Sequence, residues 1–248
     1  FFFKQKTAYE IPKRDWSSDV CSSDLCPALP APREVVAAAA ARTHAWAARA
    51  RAAHRRDDQS LFGIVQGGID EGLRAESART IAAMGFDGHG IGGLSVGETR
   101  AEMLPALAAA IAHLPADRPR YLMGVGDPAS LVEAVHLGVD QFDCVMQTRL
   151  GRHGTALTSA GRVNLTRAEH ARSDAPIDAA CRCVVCARHS RGWLRHLLAV
   201  GEPTASRLVS YHNLAWTIDL MARMRGAIVD GSFPALRAEV LAVWGGEA

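Results

Sequence analysis

Apolar runs of strand length alternate with longer segments of helical periodicity through the middle of this chain. Strand-like runs lie at 61–66, 88–94, 121–125 and 142–146, and helical patterns lie at 33–56, 70–84, 98–113 and 128–137. Strands that recur about every 20–30 residues with helices between them are typical of parallel βαβ units. Because these strands are apolar throughout, we expect both faces of the sheet to be covered. The pattern therefore predicts an α/β fold with a parallel sheet.

Each predicted strand ends in residues that a purely structural strand does not need. The runs end in Gln66-Gly67-Gly68, Gly92-Gly93-Leu94 and Gly124-Val125-Gly126, and the fourth carries Asp143. Ligands of parallel α/β folds bind at the carboxyl ends of the strands, where glycine lets them approach the backbone. A single glycine there more often marks an ordinary turn. Four strands that end alike predict a ligand site at this edge.

The fourth run, Phe142–Met146, is predicted to be a short buried strand that carries one carboxylate, Asp143. Arg149 and Arg152 come shortly after it in the chain. An acid at a strand end with two arginines beside it suggests a nucleophile next to an anion-binding group. The alternative is an aspartate that caps a turn, with a solvated basic loop after it. These residues alone favour the alternative.

Three cysteines within six positions predict a metal site. Cys181, Cys183 and Cys186 are soft ligands in one short segment, and one further ligand would complete a tetrahedral zinc site. Either His189 or His212 could supply it, and the spacing does not decide between them. His212 is expected to begin a long helix that runs to about Ile228. Four protein ligands leave no position for water, so the zinc would be structural.

Bulk composition limits the remaining possibilities. The chain has 248 residues, 48% of them hydrophobic, with a net charge of +2 and six cysteines. It is long enough for one large domain or a domain with an appendage, and too mildly basic to indicate a nucleic-acid partner. No run reaches the ~18 apolar residues of a membrane helix. The clustered cysteines favour a reduced, cytoplasmic compartment over a disulfide scaffold.

The first 25 residues differ in composition from the rest of the chain. All lysines of the chain, Lys4, Lys6 and Lys13, lie there, and every later Lys or Arg position is arginine. The segment lacks the apolar core of ~7–15 residues that signal peptides have. We therefore expect residues 1–25 to be a foreign leader that packs poorly.

Taken together, the motifs resemble those of the tRNA-guanine transglycosylases, or queuine tRNA-ribosyltransferases. The similar segments are FGIVQGG (62–68), GIGGLSVGE (90–98), YLMGVGDP (121–128), FDCVMQTRLGR (142–152), CRCVVC (181–186) and YHN (211–213). The resemblance covers residues 26–248. It implies an incomplete (β/α)8 barrel over 26–160 and a zinc-binding subdomain with C-terminal helices over 161–248. It also implies exchange of guanine at the tRNA wobble position for a 7-deazaguanine base.

The resemblance assigns roles to individual residues. Asp143 matches the nucleophile that forms a covalent intermediate with the ribose. Base contacts fall on Gln66, Gly93 and Leu94, with Met123 and Gly124 as the pocket floor. The implied zinc ligands are Cys181, Cys183, Cys186 and His212. The implied RNA contacts are Gly124, Val125, Gly126, Asp127, Pro128, Ala129, Ser130, Thr148, Arg149, Leu150, Gly151 and Arg152.

Two residues resemble the bacterial branch of that family. Val96 stands where members that take queuine have glycine, and Cys26 matches a cysteine beside the base pocket. The implied incoming base is preQ1 (7-aminomethyl-7-deazaguanine), the implied RNA is a tRNA with a GUN anticodon, and the implied assembly is a homodimer.

The chain also departs from the family pattern. The first half of the barrel, with the aspartate that accepts a proton, has no counterpart before Cys26. Asp24 occupies the place of a base-binding acid, but it lies in the expected leader. Met146-Gln147 stands where the family usually has Leu-Pro. We therefore expect a fragment without turnover. The alternatives are a non-catalytic, zinc-stabilised tRNA-binding subunit and an unrelated α/β barrel with a zinc ribbon.

Overall fold

A computed structural model describes residues 19–246 of the chain. Five strands form one sheet: β1 (Asp19–Cys21), β2 (Ser60–Val65), β3 (Gly88–Ile91), β4 (Arg120–Leu122) and β5 (Gln141–Phe142). Every neighbouring pair is parallel, and the order in the sheet is the order in the chain. In (β/α)8 barrels the strands follow one another in the order of the chain. In doubly wound sheets the strand order reverses part-way across the sheet.

The connections between these strands are helical, as the periodicity predicted. They contain α1 (Arg33–Ala53), α2 (Glu71–Ala82), α3 (Arg100–Ile111) and α4 (Pro128–Leu137). The Asp70 side chain caps α2 by accepting from Leu73 N, and Thr99 and Glu102 form a capping box at the start of α3. Helix α2 contacts both α1 and α3. The predicted α/β fold with a parallel sheet is confirmed.

One apolar core joins the sheet to its helices. Val65 and Ile91 are opposite each other in β2 and β3, both fully buried, and Ile81 and Leu107 pack against the same core from α2 and α3. Aromatic rings fill the space above glycine on this sheet. A Cβ at Gly88 would collide with the ring of Phe62, so this close packing requires glycine.

One expectation about the sheet is wrong, and a second is contradicted for residues 19–25 only. The fourth strand was expected at 142–146, but β5 ends at Phe142 and a helix begins at Met146, which leaves Asp143 and Val145 exposed. The leader was expected to pack poorly, but residues 19–21 pair with β2 and the Leu25 N–H donates to Thr43 Oγ1 at 2.9 Å. A parallel neighbour satisfies backbone groups whatever the composition of the strand. Residues 1–18 lie outside the described part.

The chain forms two compact units. The first unit comprises the described residues to Val125 together with Glu133–Asp143, and the second comprises Gly126–Val132 together with the chain from Cys144 onward. The boundary expected between residues 160 and 161, which separates the barrel from the zinc-binding subdomain, stays a prediction. The compact units divide at 143/144, because the helix after Asp143 and the next strand both pack against the longest helix of the second unit.

The second unit is mainly helical. Its elements are α5 (Met146–Arg152), an antiparallel hairpin of β6 (Thr155–Thr158) and β7 (Gly161–Asn164), a 3₁₀ turn (Ala168–His170), α6 (Val184–Arg188), α7 (Arg191–Ala199), α8 (Pro203–Asp230) and α9 (Phe233–Trp244). Ile177, Leu194 and Val209 belong to its buried core. Helix α8 was expected to begin at His212, but Pro203 opens it nine residues earlier. Within 19–246, no helix combines the length and apolar character needed to cross a membrane.

Candidate active site and metal centre

Each of the five parallel strands is followed within three residues by a polar side chain or by a glycine whose backbone a ligand could approach. Because the strands are parallel, these residues lie at one edge of the sheet, the edge where ligands of such folds bind. We call this group the strand-end site: Asp24 after β1, Gln66 after β2, Gly93 after β3, Gly124 after β4 and Asp143 after β5.

Asp143 is exposed, and one of its two carboxylate oxygens is anchored. Oδ1 accepts from the Tyr121 hydroxyl at 2.6 Å and from the Gly124 N–H at 3.0 Å. Within residues 19–246, Oδ2 accepts no hydrogen bond and no cationic side chain pairs with Asp143. Burial raises the pKa of Tyr121, and the bond to Asp143 raises it further, so the phenol stays a donor. The carboxylate is thus held in place with one oxygen open to a reactant.

Gln66 is almost fully buried at the end of β2. Its Nε2 donates to Asp24 Oδ2 at 2.5 Å, and its backbone N–H donates to Ser77 Oγ at 3.0 Å. Its Oε1 is buried with no partner among the described residues, and a Cβ at Gly93 would collide with it. A buried acceptor without a donor is uncommon in proteins and is an expected feature of a ligand site.

Asp24 is the main addition that the structure makes to the sequence interpretation. Its place in the expected leader was the reason to discount it, yet its carboxylate contacts Gln66. Burial raises the pKa of Asp24, while the bond from Gln66 opposes this rise. The sequence signal was its position two residues before Cys26, which the family pattern already marked.

Arg74 also belongs to this region, and the sequence analysis missed it. The side chain is fully buried. Its guanidinium donates to the carbonyl oxygens of Gly68 at 2.6 Å, Gly92 at 2.7 Å and Gly93 at 2.8 Å. Arg74 lies on the buried face of α2 with Leu73, Ser77, Ala78 and Ile81. An arginine in register with apolar positions was the signal that could have identified it.

The remaining predicted base contacts differ in exposure. The Leu94 side chain is buried in the core, so only its backbone is available to a ligand. Met123 is half-buried after β4, and its backbone N–H donates to Ile91 O at 3.1 Å. Gly124 is exposed with φ +78°, a conformation that favours glycine. Its N–H can therefore turn toward Asp143.

The first unit also contains a cleft of about 510 Å³. It is largely apolar, with an ion pair of 2.7 Å between Arg33 and Asp70 at its wall. Its lining includes Gly67 and Glu98 but no member of the strand-end site. The cleft is therefore a separate concavity, and Asp143 is not among its lining residues.

A cluster of four potential metal ligands lies in the second unit. The Sγ atoms of Cys181, Cys183 and Cys186 and Nδ1 of His212 are within 4.8 Å of one another. Tetrahedral ligands about 2.3 Å from zinc lie roughly 3.8 Å apart, so the set has the right size. His212 Nε2 is 2.8 Å from Leu157 O, which fixes the proton on Nε2 and leaves Nδ1 free to ligate. These residues, the metal cluster, could hold a metal ion.

The structure also distinguishes the two candidate histidines. His212 Nδ1 lies 3.3 Å from the Cys186 sulfur and 3.5 Å from that of Cys183. His189 instead stacks on Trp193, with ring centroids 4.3 Å apart. Burial raises the pKa of Cys186 to about 12. A bound cation would oppose this effect, because it stabilises thiolates.

Comparison with known proteins gives the family. The sequence profile of the family described as queuine tRNA-ribosyltransferase matches residues 2–245. The queuine tRNA-ribosyltransferase of Halothermothrix orenii is 42% identical over 240 residues, or 97% of this chain and 64% of the relative. That of Lactococcus lactis is 45% identical over 239 residues, or 96% of this chain and 63% of the relative. This chain belongs to the queuine tRNA-ribosyltransferase family.

The family assignment confirms the expected resemblance. The match covers only part of the length of the relatives. The Moorella thermoacetica relative, also named queuine tRNA-ribosyltransferase, is 46% identical over 223 residues, which are 90% of this chain and 60% of the relative. The chain thus spans a little under two thirds of the length of the curated relatives it matches.

The segments expected to contact RNA are less uniform than the family pattern implied. Residues 148–152 were expected in a loop, but they lie in helix α5, where Arg149 and Arg152 are exposed. In the other segment, Gly124 is exposed and Asp127 half-buried. The other five members of that segment are buried and expose little surface to RNA: Val125, Gly126, Pro128, Ala129 and Ser130. Asp127 Oδ1 accepts from Ser130 N at 2.9 Å and so caps α4.

Helix α5 is fixed against α8 by Gly151 and Asn213. A Cβ at Gly151 would lie 2.6 Å from Ser210 N, so the two helices approach closely only because this residue is glycine. The buried Asn213 side chain accepts from Leu157 N and donates to the carbonyls of Gln147 and Thr155. It thereby ties α8 to α5 and β6, next to His212 of the metal cluster.

Proposed function

We propose that this chain is part of a tRNA-guanine transglycosylase and carries its nucleophile and most of its base-recognition groups. The substrates are a tRNA with a GUN anticodon and a 7-deazaguanine base. The observation that carries the proposal is the Asp143 carboxylate, which is exposed, anchored through Oδ1 and open at Oδ2.

In the first step, Asp143 Oδ2 attacks C1′ of the wobble ribose. The C1′–N9 bond breaks, its electron pair leaves with guanine, and an ester joins the carboxylate to the sugar. Gln66 and the Gly93 N–H hold the base, while Tyr121 and Gly124 hold Oδ1 in line. Covalent catalysis of this kind divides one difficult displacement into two easier ones.

In the second step, the ring nitrogen of the incoming base attacks C1′ and releases the carboxylate. Two successive inversions retain the configuration at C1′. The attacking nitrogen loses a proton, and the family's acceptor is an aspartate outside the matched sequence. β1 and β5 also have only one neighbour each in the described sheet. We therefore expect this polypeptide to form the ester without completing turnover.

The metal cluster supports a structural role for zinc. Three thiolates and one imidazole fill a tetrahedral shell, so the bound Zn²⁺ would hold α6 and α8 together and would not activate water. The exposed Arg149 and Arg152 on α5 would meet RNA phosphates, which position the RNA without reading its sequence.

Three finer points complete the proposal. The incoming base is preQ1, supported by Val96 and Cys26. The intact enzyme is a homodimer, as in bacterial members of the family. The tRNA substrate places the reaction in the cytoplasm.

Adduct trapping on a denaturing gel tests the proposal. The wild-type chain, incubated with a GUN-anticodon tRNA, is expected to give a denaturant-stable band that Asp143→Asn abolishes. Asp117→Asn, an exposed carboxylate in the same unit, is the matched control and should keep the band. Binding of tRNA without any adduct would favour the non-catalytic binding subunit. If the chain shows neither tRNA binding nor an adduct, both functions are rejected. If this chain exchanges labelled guanine into tRNA, the expected absence of turnover is contradicted.

A further inference from the structure

The most unusual side chain outside the reacting groups is the buried guanidinium of Arg74. It has no exposed surface, and its hydrogen bonds go to backbone carbonyls rather than to a carboxylate. An arginine so deeply buried is normally paired, because removing a charge from water is unfavourable. Its retention in this position requires a reason beyond packing.

The guanidinium remains charged at neutral pH. Burial lowers the pKa of Arg74 to about 10, and the nearby Cys26 and Glu98 oppose that shift. Within the described residues, it forms no ion pair. Three carbonyl oxygens within 2.8 Å replace the water that the charge has lost. A lysine has one point of charge and could not reach all three at once.

These bonds decide which backbone groups remain for a ligand at the end of β3. The carbonyls of Gly92 and Gly93 are both occupied by Arg74. The Gly93 N–H donates to no acceptor among residues 19–246. The Gln66 amide next to it contains both a donor and an acceptor, so it can pair with either kind of base edge. Discrimination between base edges therefore depends on the backbone.

We propose that Arg74 is a positioning residue that sets base specificity at the strand-end site. By holding the Gly92 and Gly93 carbonyls, it leaves the Gly93 N–H as the backbone group offered to the base. A lone N–H donor can pair with the 6-oxygen of a 6-oxopurine. The 6-amino group of a 6-aminopurine is itself a donor, so the N–H stays unpaired. This inference rests on the proposed function, because it assumes that a purine binds there.

The first experiment measures base discrimination by isothermal titration calorimetry. Guanine and 2,6-diaminopurine differ in the 6-substituent and the N1 proton that accompanies it, and we expect the wild-type chain to prefer guanine. Arg74→Met should reduce the ratio of the two affinities about tenfold, the effect of one mismatched hydrogen bond. Arg74→Lys should give an affinity ratio between those of the wild type and Arg74→Met. Arg79→Met, an exposed arginine on the same helix, should keep the wild-type ratio.

A second experiment needs no ligand. In spectra of ¹⁵N-glycine-labelled chain, Arg74→Met should shift the Gly92 and Gly93 amide signals and speed their hydrogen exchange, while Arg79→Met leaves both unchanged. Urea denaturation checks that each variant is folded before either measurement.

The outcomes separate the two levels of the proposal. If the wild-type chain binds neither base, the proposed function is contradicted, and the glycine signals alone decide whether Arg74 positions this backbone. If guanine binds and Arg74→Met weakens both bases equally, or neither, Arg74 has only a general structural role and the inference is overturned. Unchanged glycine signals in Arg74→Met overturn it as well.

Discussion

The strand-end site and the metal cluster are built on opposite plans. The metal cluster takes three ligands from one six-residue segment and a fourth from the interior of α8, and its functional atoms are themselves the structural link. The strand-end site takes one residue from the end of each of five strands, spread over more than a hundred positions. Its members are held by a few bonds within the site, from Gln66 to Asp24 and from Gly124 to Asp143, and by two residues outside it, Tyr121 and Arg74.

Burial shows the same division. His212 is fully buried with its second nitrogen bonded to Leu157 O, so its cluster is closed on the protein side. Asp143 is exposed with one oxygen unbonded in the described structure. A closed set of ligands can contribute stability, whereas an open carboxylate can react. The difference suggests that damage to the first should unfold the chain locally and damage to the second should leave a folded but inert protein.

Loss of the metal should have the largest effect. We expect Cys183→Ser to lose one equivalent of zinc and to unfold the second unit, because structural zinc contributes about 10–16 kcal/mol of apparent binding energy in small zinc domains. Mass spectrometry of hydrogen exchange should show faster exchange in β6, β7 and α8. Strands β2 and β3 of the first unit should exchange as in the wild type.

The control for this prediction is another cysteine of the same unit. Cys144 lies outside the metal cluster, with its sulfur accepting from Met146 N at 3.4 Å. Cys144→Ser should keep both the metal, measured by elemental analysis, and the slow exchange. A Cys183→Ser chain that keeps its exchange pattern without metal would show that the metal is dispensable for folding.

The residue beside the metal ligand should matter almost as much. Asn213→Leu removes hydrogen bonds to Leu157 N, Gln147 O and Thr155 O, and leaves these buried groups unpaired. We expect a loss of roughly 2–4 kcal/mol in the free energy of unfolding, measured in urea, with the metal retained. Asn164→Leu, an exposed asparagine on β7, should change it by less than about 1 kcal/mol. Equal effects of the two changes would argue against this link.

The two regions also differ in how far the sequence could predict them. Cys181, Cys183 and Cys186 lie within six positions of the chain, so their spacing alone indicated a metal. Only the fourth ligand needed further information. The βαβ order was equally readable, because strand and helix periods are local properties. The end of β5 was misjudged, since Phe142–Met146 is apolar enough for a strand while its backbone turns into α5 at Met146.

Contacts that join distant residues were beyond the sequence. Nothing in the residues around Arg74 announces that its guanidinium reaches three glycine carbonyls at the ends of β2 and β3. Asp24 was discounted because its neighbours have a different composition, yet contact with Gln66 depends on backbone pairing of β1 and not on composition. Local patterns identify elements; which side chain holds which backbone group is decided by the tertiary fold.

A subtler change separates reactivity from stability in the strand-end site. Tyr121→Phe removes the 2.6 Å hydrogen bond to Asp143 and leaves the Gly124 N–H as the remaining donor. We expect the tRNA adduct to form about tenfold more slowly, because the carboxylate is less well held. The free energy of unfolding should change by less than about 1 kcal/mol. Tyr211→Phe, an exposed tyrosine on α8, should leave the rate unchanged, and an unchanged rate in Tyr121→Phe would show that Gly124 suffices.

The smallest effect, and the one with an opposite sign, is expected at Asp24. Burial raises the pKa of this carboxyl above its ordinary value of 3.8, so the folded chain binds the proton more tightly than the unfolded chain. The ionised form therefore reduces stability as the pH rises through the raised pKa. Asp24→Asn can still accept from Gln66 Nε2, and we expect it to be slightly more stable than the wild type at pH 7. This gain should disappear below pH 3.8, where both states of the wild type are protonated. Weaker guanine binding by the same variant would show that the Asp24 carboxylate serves the ligand although it destabilises the fold. Lower stability of the variant at pH 7 would instead show that the charge of Asp24 stabilises the sheet.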